Sequence, residues 1–122
     1  MKDNDADPIW LGVAYGGLAF GVLAVAAPKA FSRMYGLKGD GNLRAIIRLW
    51  GTRTAVLSGI ALSVTDAATR RRLALAIAGM DVADAALTLT AGADVPVHTR
   101  VMGAATSAAF AGVTGYWLSQ QD

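Results

Sequence analysis

The fold class this sequence predicts is all-α: an integral membrane four-helix bundle with short loops and both termini on the same side. Three observations predict it. Residues 9–27 and 101–121 are apolar runs without a charge, and about 20 such residues cross a hydrocarbon core ~30 Å thick. Two further apolar runs, over 43–64 and 72–91, carry charges of opposite sign inside them. Neither uncharged run shows a polar face at a period of about 3.6 residues, as a helix on a soluble core would. At 122 residues the chain is a single domain, with helices expected over 9–27, 43–64, 72–91 and 100–118.

Composition narrows the partners. Charged residues make up 16% and the net charge is +2. The basic residues sit near the expected helix ends, which suits a lipid bilayer and its headgroups. No basic face with interleaved aromatics appears, so no nucleic acid is expected. All nine acidic residues are Asp and cysteine is absent, which excludes disulfides, thiol catalysis and thiolate metal ligands. Abundant Ala, and Arg in excess of Lys, hint at a GC-rich bacterial source, hence the bacterial inner (plasma) membrane.

Residues 1–8, with Asp3, Asp5 and Asp7, form a polar lead-in without the basic start of a secretory signal. Pro8 suits a first helical turn, where its missing N–H costs nothing. Helix one carries Gly12, Gly16, Gly17 and Gly21 in GxxxG spacings that let another backbone approach closely. In the connection over 28–42, Lys29 and Arg33 stand four residues apart with Phe31, Met34 and Tyr35 elsewhere round the turn. That pattern reads either as a short interfacial helix or as a polar loop, broken by Gly36, Gly39 and Gly41.

Helix two presents Gly51, Ala55 and Gly59 as a second small-residue stripe. A tight turn over 65–69 follows, then Arg70, Arg71 and Arg72, a candidate lipid-headgroup cluster. Helix three holds Asp81 and Asp84, about 60° apart on one face. A connection over 92–99 contains Pro96 and His98, and helix four is rich in Gly, Ala and Ser. Trp10, Tyr116 and Trp117 would form an aromatic belt on the shared terminal side. The triple-arginine turn favours termini in the cytoplasm.

The charges inside helices two and three are the chemically sharp feature: Arg48, Arg53, Asp81 and Asp84. With the turn centred between Ala67 and Ala68, Arg53 and Asp81 each lie about fourteen residues away, hence at nearly equal depth for a rise of ~1.5 Å per residue. The hairpin of helices two and three is therefore read as the centre of the fold. At a bilayer centre each such charge costs roughly 2.5–3.5 kcal/mol, a penalty that pairing relieves. The cluster serves either as a latch aligning the two helices or as a proton or cation site at Asp81 or Asp84, with Arg53 tuning it. Arg48, about 140° around the helix from Arg53 and nearer its end, has room to snorkel.

Catalysis has little to work with. His98 beside Asp94 is too few ligands for a metal. Thr52, Thr54, Ser58, Thr88 and Thr90 have no histidine or lysine base inside the bundle, so they are expected to bond to backbone or neighbours. No phosphate loop or dinucleotide fingerprint occurs. No catalytic residue, metal or cofactor is assigned.

The stretch Arg48-Leu49-Trp50-Gly51-Thr52-Arg53 resembles the start of the R-x-x-G-x-R-x-x-x-x-G pattern of small uncharacterised four-helix bacterial membrane proteins, distantly DoxX-like, with Gly59 one residue beyond the pattern's last glycine. Pro28, Gly36-Leu37, Asp81 and Asp84 fit the same pattern, although Thr54 stands where that family often has Asp. The resemblance implies four membrane helices and, by analogy, a membrane component of a redox system; without cysteine this chain cannot do thiol chemistry itself. The leading expectation is a non-enzymatic accessory or stabilising subunit on a larger membrane complex, such as a transporter or respiratory assembly. A small proton-coupled transporter acting as a homo-oligomer is the alternative.

Overall fold

A computed structural model describes residues 7–39 and 41–121; the acidic lead-in over 1–6, with Asp3 and Asp5, lies outside the described residues. Among these the protein is all-α, with α1 over Pro8–Ala26, α2 over Pro28–Met34, α3 over Gly41–Ser63, α4 over Ala67–Leu89 and α5 over Val97–Ser119. Two of them, α1 with a mean hydropathy of 1.9 and α3 with 1.2, are long and apolar enough to cross a membrane. The helices α4 and α5 match α3 in length at 23 residues.

Local chemistry explains the boundaries. Asp7 caps α1, its Oδ1 accepting from the backbone N–H of Ile9 at 2.9 Å and of Trp10 at 3.3 Å, with Pro8 in the first turn. The residue before a proline is pushed out of helical geometry, so Ala27 (φ −133°, ψ 62°) separates α1 from α2. Within the 28–42 connection, Pro28–Met34 form the short helix α2. It ends where Gly36 adopts φ +67° and the amides of Gly36 and Leu37 bond back to Arg33 O and Ser32 O, a Schellman stop that suits glycine.

Asp66 starts α4, accepting from Thr69 N at 2.9 Å. The Thr69 hydroxyl and backbone N–H hold its carboxyl below the ordinary carboxylate range. The turn after α3 is consequently shorter than 65–69, and Arg70, Arg71 and Arg72 lie within α4 instead of in a loop. Pro96 likewise leads α5 in at Val97, ahead of the expected residue 100.

Packing corrects the expectation that the hairpin of the second and third long helices is the centre. The close pairs are α1 on α3 and α4 on α5, whereas α3 and α4, though joined by the tight turn, scarcely meet. Small residues decide which helices can approach. A methyl on Gly21 would lie 2.6 Å from the backbone N of Ala55 and the carbonyl O of Gly51. Gly51 and Ala55 therefore face α1. Gly103 performs the same service on α5, against the side chain of Thr88 on α4. Between α3 and α4 stand Trp50, Arg53, Leu57, Met80, Asp81 and Asp84, too bulky for close contact.

Two core clusters join the pairs. At the end holding the first and last residues of the bundle, Trp10 and Trp117 pack with centroids 4.8 Å apart, together with Ala14, Ala61 and Ala74. Trp10 Nε1 donates to Ala61 O at 3.1 Å, satisfying a last-turn carbonyl of α3, and Trp117 Nε1 donates to Asp7 Oδ2 at 3.0 Å. These tryptophans are thus buried core and not an outward belt; of the three belt residues, Tyr116 alone is exposed. Each indole N–H has a partner inside, which permits its burial.

At the opposite end α2 acts as a wedge. Phe31 and Tyr35 turn inward against Ala24, Ile47 and Trp50 while Lys29 and Arg33 face out. Tyr35 Oη donates to Thr106 Oγ1 at 2.8 Å, and Thr99 Oγ1 donates to Gly36 O at 3.3 Å, so α2 ties the α1–α3 pair to α5.

The two glycines Gly51 and Gly59 should respond oppositely to the same change. In Gly51→Ala the new methyl would sit 2.7 Å from Ala24 Cβ and from Gly21 O, an overpacking that should cost about 1–3 kcal/mol. Gly59→Ala meets nothing within 4 Å and should gain up to about 1 kcal/mol from helix propensity. Equilibrium unfolding of the two variants measures the difference.

Candidate functional site

The gap between the helix pairs is where the intrahelical charges gather. Arg53 reaches from α3 to α4, with Nη2 2.9 Å from Asp84 Oδ2, the two side chains 43% and 26% exposed. Asp81 lies on the same face of α4, nearly one turn earlier, and lines the same cavity as Arg53 and Asp84. Equal depth along the hairpin sets Arg53 opposite Asp81, but the ion pair forms with Asp84 instead. Among the described residues Asp81 makes no hydrogen bond or ion pair.

Arg48 does not belong to this cluster. It is exposed, it makes no ion pair among the described residues, and its carbonyl accepts from the Thr52 hydroxyl at 2.9 Å. The turn of about 140° between Arg48 and Arg53 around one helix prevents both from facing α4.

The cavity around the charges encloses about 50 Å³, room for a few water molecules by size. Phe20 and Phe110, packed edge to face at 5.6 Å, close one side, with Trp50, Thr106 and Ser107 among the other walls. A larger groove of about 360 Å³ adjoins it, sharing Trp50, Asp84, Thr106 and Ser107. This groove runs along Phe31 and Tyr35 and has Ile46 on α3 and Leu87 on α4 among its walls. Both of these are strongly exposed, so the groove opens sideways where α3 and α4 diverge.

The remaining expected residues fall into separate places. Gly17, Gly21, Gly51 and Ala55 line the α1–α3 contact, and Gly16 meets the Phe110 ring. A methyl added at Gly12 or Gly59 would meet nothing within 4 Å, so the two stripes are each only partly used inside the chain. Arg70 is buried, its Nε donating to Val64 O at 3.0 Å. It supplies a donor to the end of α3 and is not an exposed headgroup ligand. Arg71 and Arg72 remain exposed. Thr52, Thr88 and Thr90 donate back to carbonyls of their own helices, and His98 is exposed at the start of α5.

Several contributors escaped the sequence reading. Asp7 is both a cap and the acceptor for Trp117, although Asp before Pro is a recognisable helix start. Thr106 and Ser107, polar groups on an otherwise uncharged stretch, line both cavities; nothing in a Gly/Ala/Ser-rich run distinguishes them.

No family model, no curated protein and no solved structure matches the chain. Its chemistry is therefore read from the geometry: an ion pair, one further carboxylate and the four hydroxyls of Thr54, Ser58, Thr106 and Ser107 beside aromatic walls. No His or Lys lines the cavity around them.

A double-mutant cycle at Arg53 and Asp84 measures the pair directly. Arg53→Ala and Asp84→Ala should each destabilise the protein, with a coupling of about 1 kcal/mol between them. The exchanged pair, Arg53→Asp with Asp84→Arg, should recover part of the loss in equilibrium unfolding.

Proposed function

We propose that the chain is an integral four-helix bundle of the bacterial inner membrane, working without catalysis as an accessory or stabilising subunit on a larger membrane complex. The observation that carries the membrane reading is the polarity of α4. Its carboxylates Asp81 and Asp84 line the interior cavity, while Leu75, Val82, Leu87 and Leu89 point outward, Leu87 with 71% of its surface exposed. On α3, Leu49 is equally exposed. A soluble helix has the reverse arrangement, and contiguous outward apolar surface marks a lipid or protein contact. Charges that face a bundle interior and pair there are the form in which membrane helices tolerate them.

The subunit reading is supported by the outward glycines. Gly12 on α1, Gly59 on α3, Gly79 on α4 and Gly112 and Gly115 on α5 meet nothing in their own bundle. Such positions allow a neighbouring helix to come close. The DoxX-like resemblance supports a redox assembly as the class of complex, through the Arg48–Gly51–Arg53 stretch alone.

Tagged protein at native expression, extracted in gentle detergent, should remain in the membrane fraction under alkaline wash and bring down larger membrane proteins in fixed stoichiometry. Gly59→Leu should reduce that recovery severalfold without lowering the protein's own unfolding midpoint. Isolation solely as a homo-oligomer, or recovery from the soluble fraction, contradicts the proposal.

A further inference from the structure

Three charged side chains line the inner cavity, and two of them cancel: Arg53 is held by Asp84. Asp81 forms no ion pair, and the three side chains together leave one net negative charge in the lining. Its surroundings are Phe20, Trp50 and Phe110, rings whose faces carry negative quadrupolar charge and attract cations. An inorganic ion is poorly served here. Calcium takes six to eight oxygen ligands and magnesium about six, and apart from the carboxylates the space offers chiefly hydroxyls such as those of Thr106 and Ser107 on an apolar wall.

The adjoining groove supplies what an organic ion needs. It is several times larger, about 360 Å³, and meets the inner cavity at Trp50 and Asp84. It continues past Phe31 and Tyr35, and its mouth lies between Ile46 and Leu87 on the apolar outer surface. A ligand entering there crosses apolar walls before it reaches the charge.

We propose that the joined cavities bind a lipophilic organic monocation, its charged group beside Asp81 and its apolar body along Trp50, Phe31 and Tyr35. One net negative charge in the lining matches one positive charge. The aromatic groove matches a body without hydrogen-bonding groups, as ligand pockets commonly do with a few polar groups at one end. The inference goes beyond the subunit reading and does not depend on it, because the walls belong to this chain alone.

Calorimetric titration tests it with benzyltrimethylammonium as the cation and benzyl alcohol as the neutral comparator. The full chain is held in lipid nanodiscs, and the heats of empty nanodiscs are subtracted. The cation should bind saturably with one site per chain, about tenfold or more tighter than the alcohol. Asp81→Asn should weaken the cation about tenfold and leave the alcohol unchanged. Ile46→Lys, at an exposed position in the mouth, should also weaken the cation selectively, and it serves if Asp81→Asn does not fold. No saturable heat with the unaltered chain overturns the proposal. Equal affinity for the two compounds would mark an apolar pocket open to lipid and overturns it too. Cation affinity unchanged in a folded Asp81→Asn does the same. Co-purification with a larger complex is unaffected by any of these outcomes, so the two readings fail separately.

Discussion

The close passage of α1 over α3 at Gly21 and Gly51 sets the rest of the structure. Each glycine's missing side chain is the space the other's backbone occupies, so this crossing admits little other than hydrogen. With the small-residue face of α3 committed to α1, its opposite side carries Trp50, Arg53 and Leu57 toward α4. These long side chains keep α3 and α4 apart, and the gap they leave is the cavity. The Arg53–Asp84 pair spans the gap and does not create it. The order of causes thus runs from glycine placement to helix pairing to an interior space that holds charge.

The two ends of the bundle are closed by different chemistry. Around Trp10 and Trp117 the closure is tight, because Asp7 and a last-turn carbonyl of α3 satisfy both indoles and permit their burial. At the other end α2 inserts Phe31 and Tyr35 but leaves a groove beside Leu37 and Leu43. Polar fixing by Tyr35 to Thr106 and Thr99 to Gly36 holds α2 against α5 without filling that space. The groove therefore reaches the charges in the gap from the α2 end and from the side.

Much of this was legible in the sequence. The uncharged run over 9–27 showed α1, and depth along the hairpin placed Arg53 near the two aspartates to within one helical turn. Angular position already separated Arg48 from Arg53. The helix-pairing order was not legible, because Gly21, Gly51 and Gly59 look alike until a partner helix is assigned. Trp10 and Trp117 read as interfacial because aromatic residues at helix ends serve there often; only the tertiary neighbours Asp7 and Ala61 make them core. Arg70 misled for a similar reason. Three consecutive arginines suggest a solvated turn, yet Asp66 begins the helix early and rotates the first of them onto the end of α3.

The native chain has no cysteine, so paired cysteines introduced into it report proximity without background. A disulfide requires Cβ atoms about 3.5–4.5 Å apart, a separation that Gly17 of α1 and Ser58 of α3 meet at 3.5 Å, whereas α3 and α4 scarcely meet. Oxidation should therefore cross-link Gly17→Cys with Ser58→Cys efficiently, and leave Trp50→Cys with Met80→Cys, which line the cavity from α3 and α4, unlinked. Efficient linkage of the second pair with failure of the first would mean that α3 packs on α4, contradicting the helix pairing from which the cavity and its charges follow.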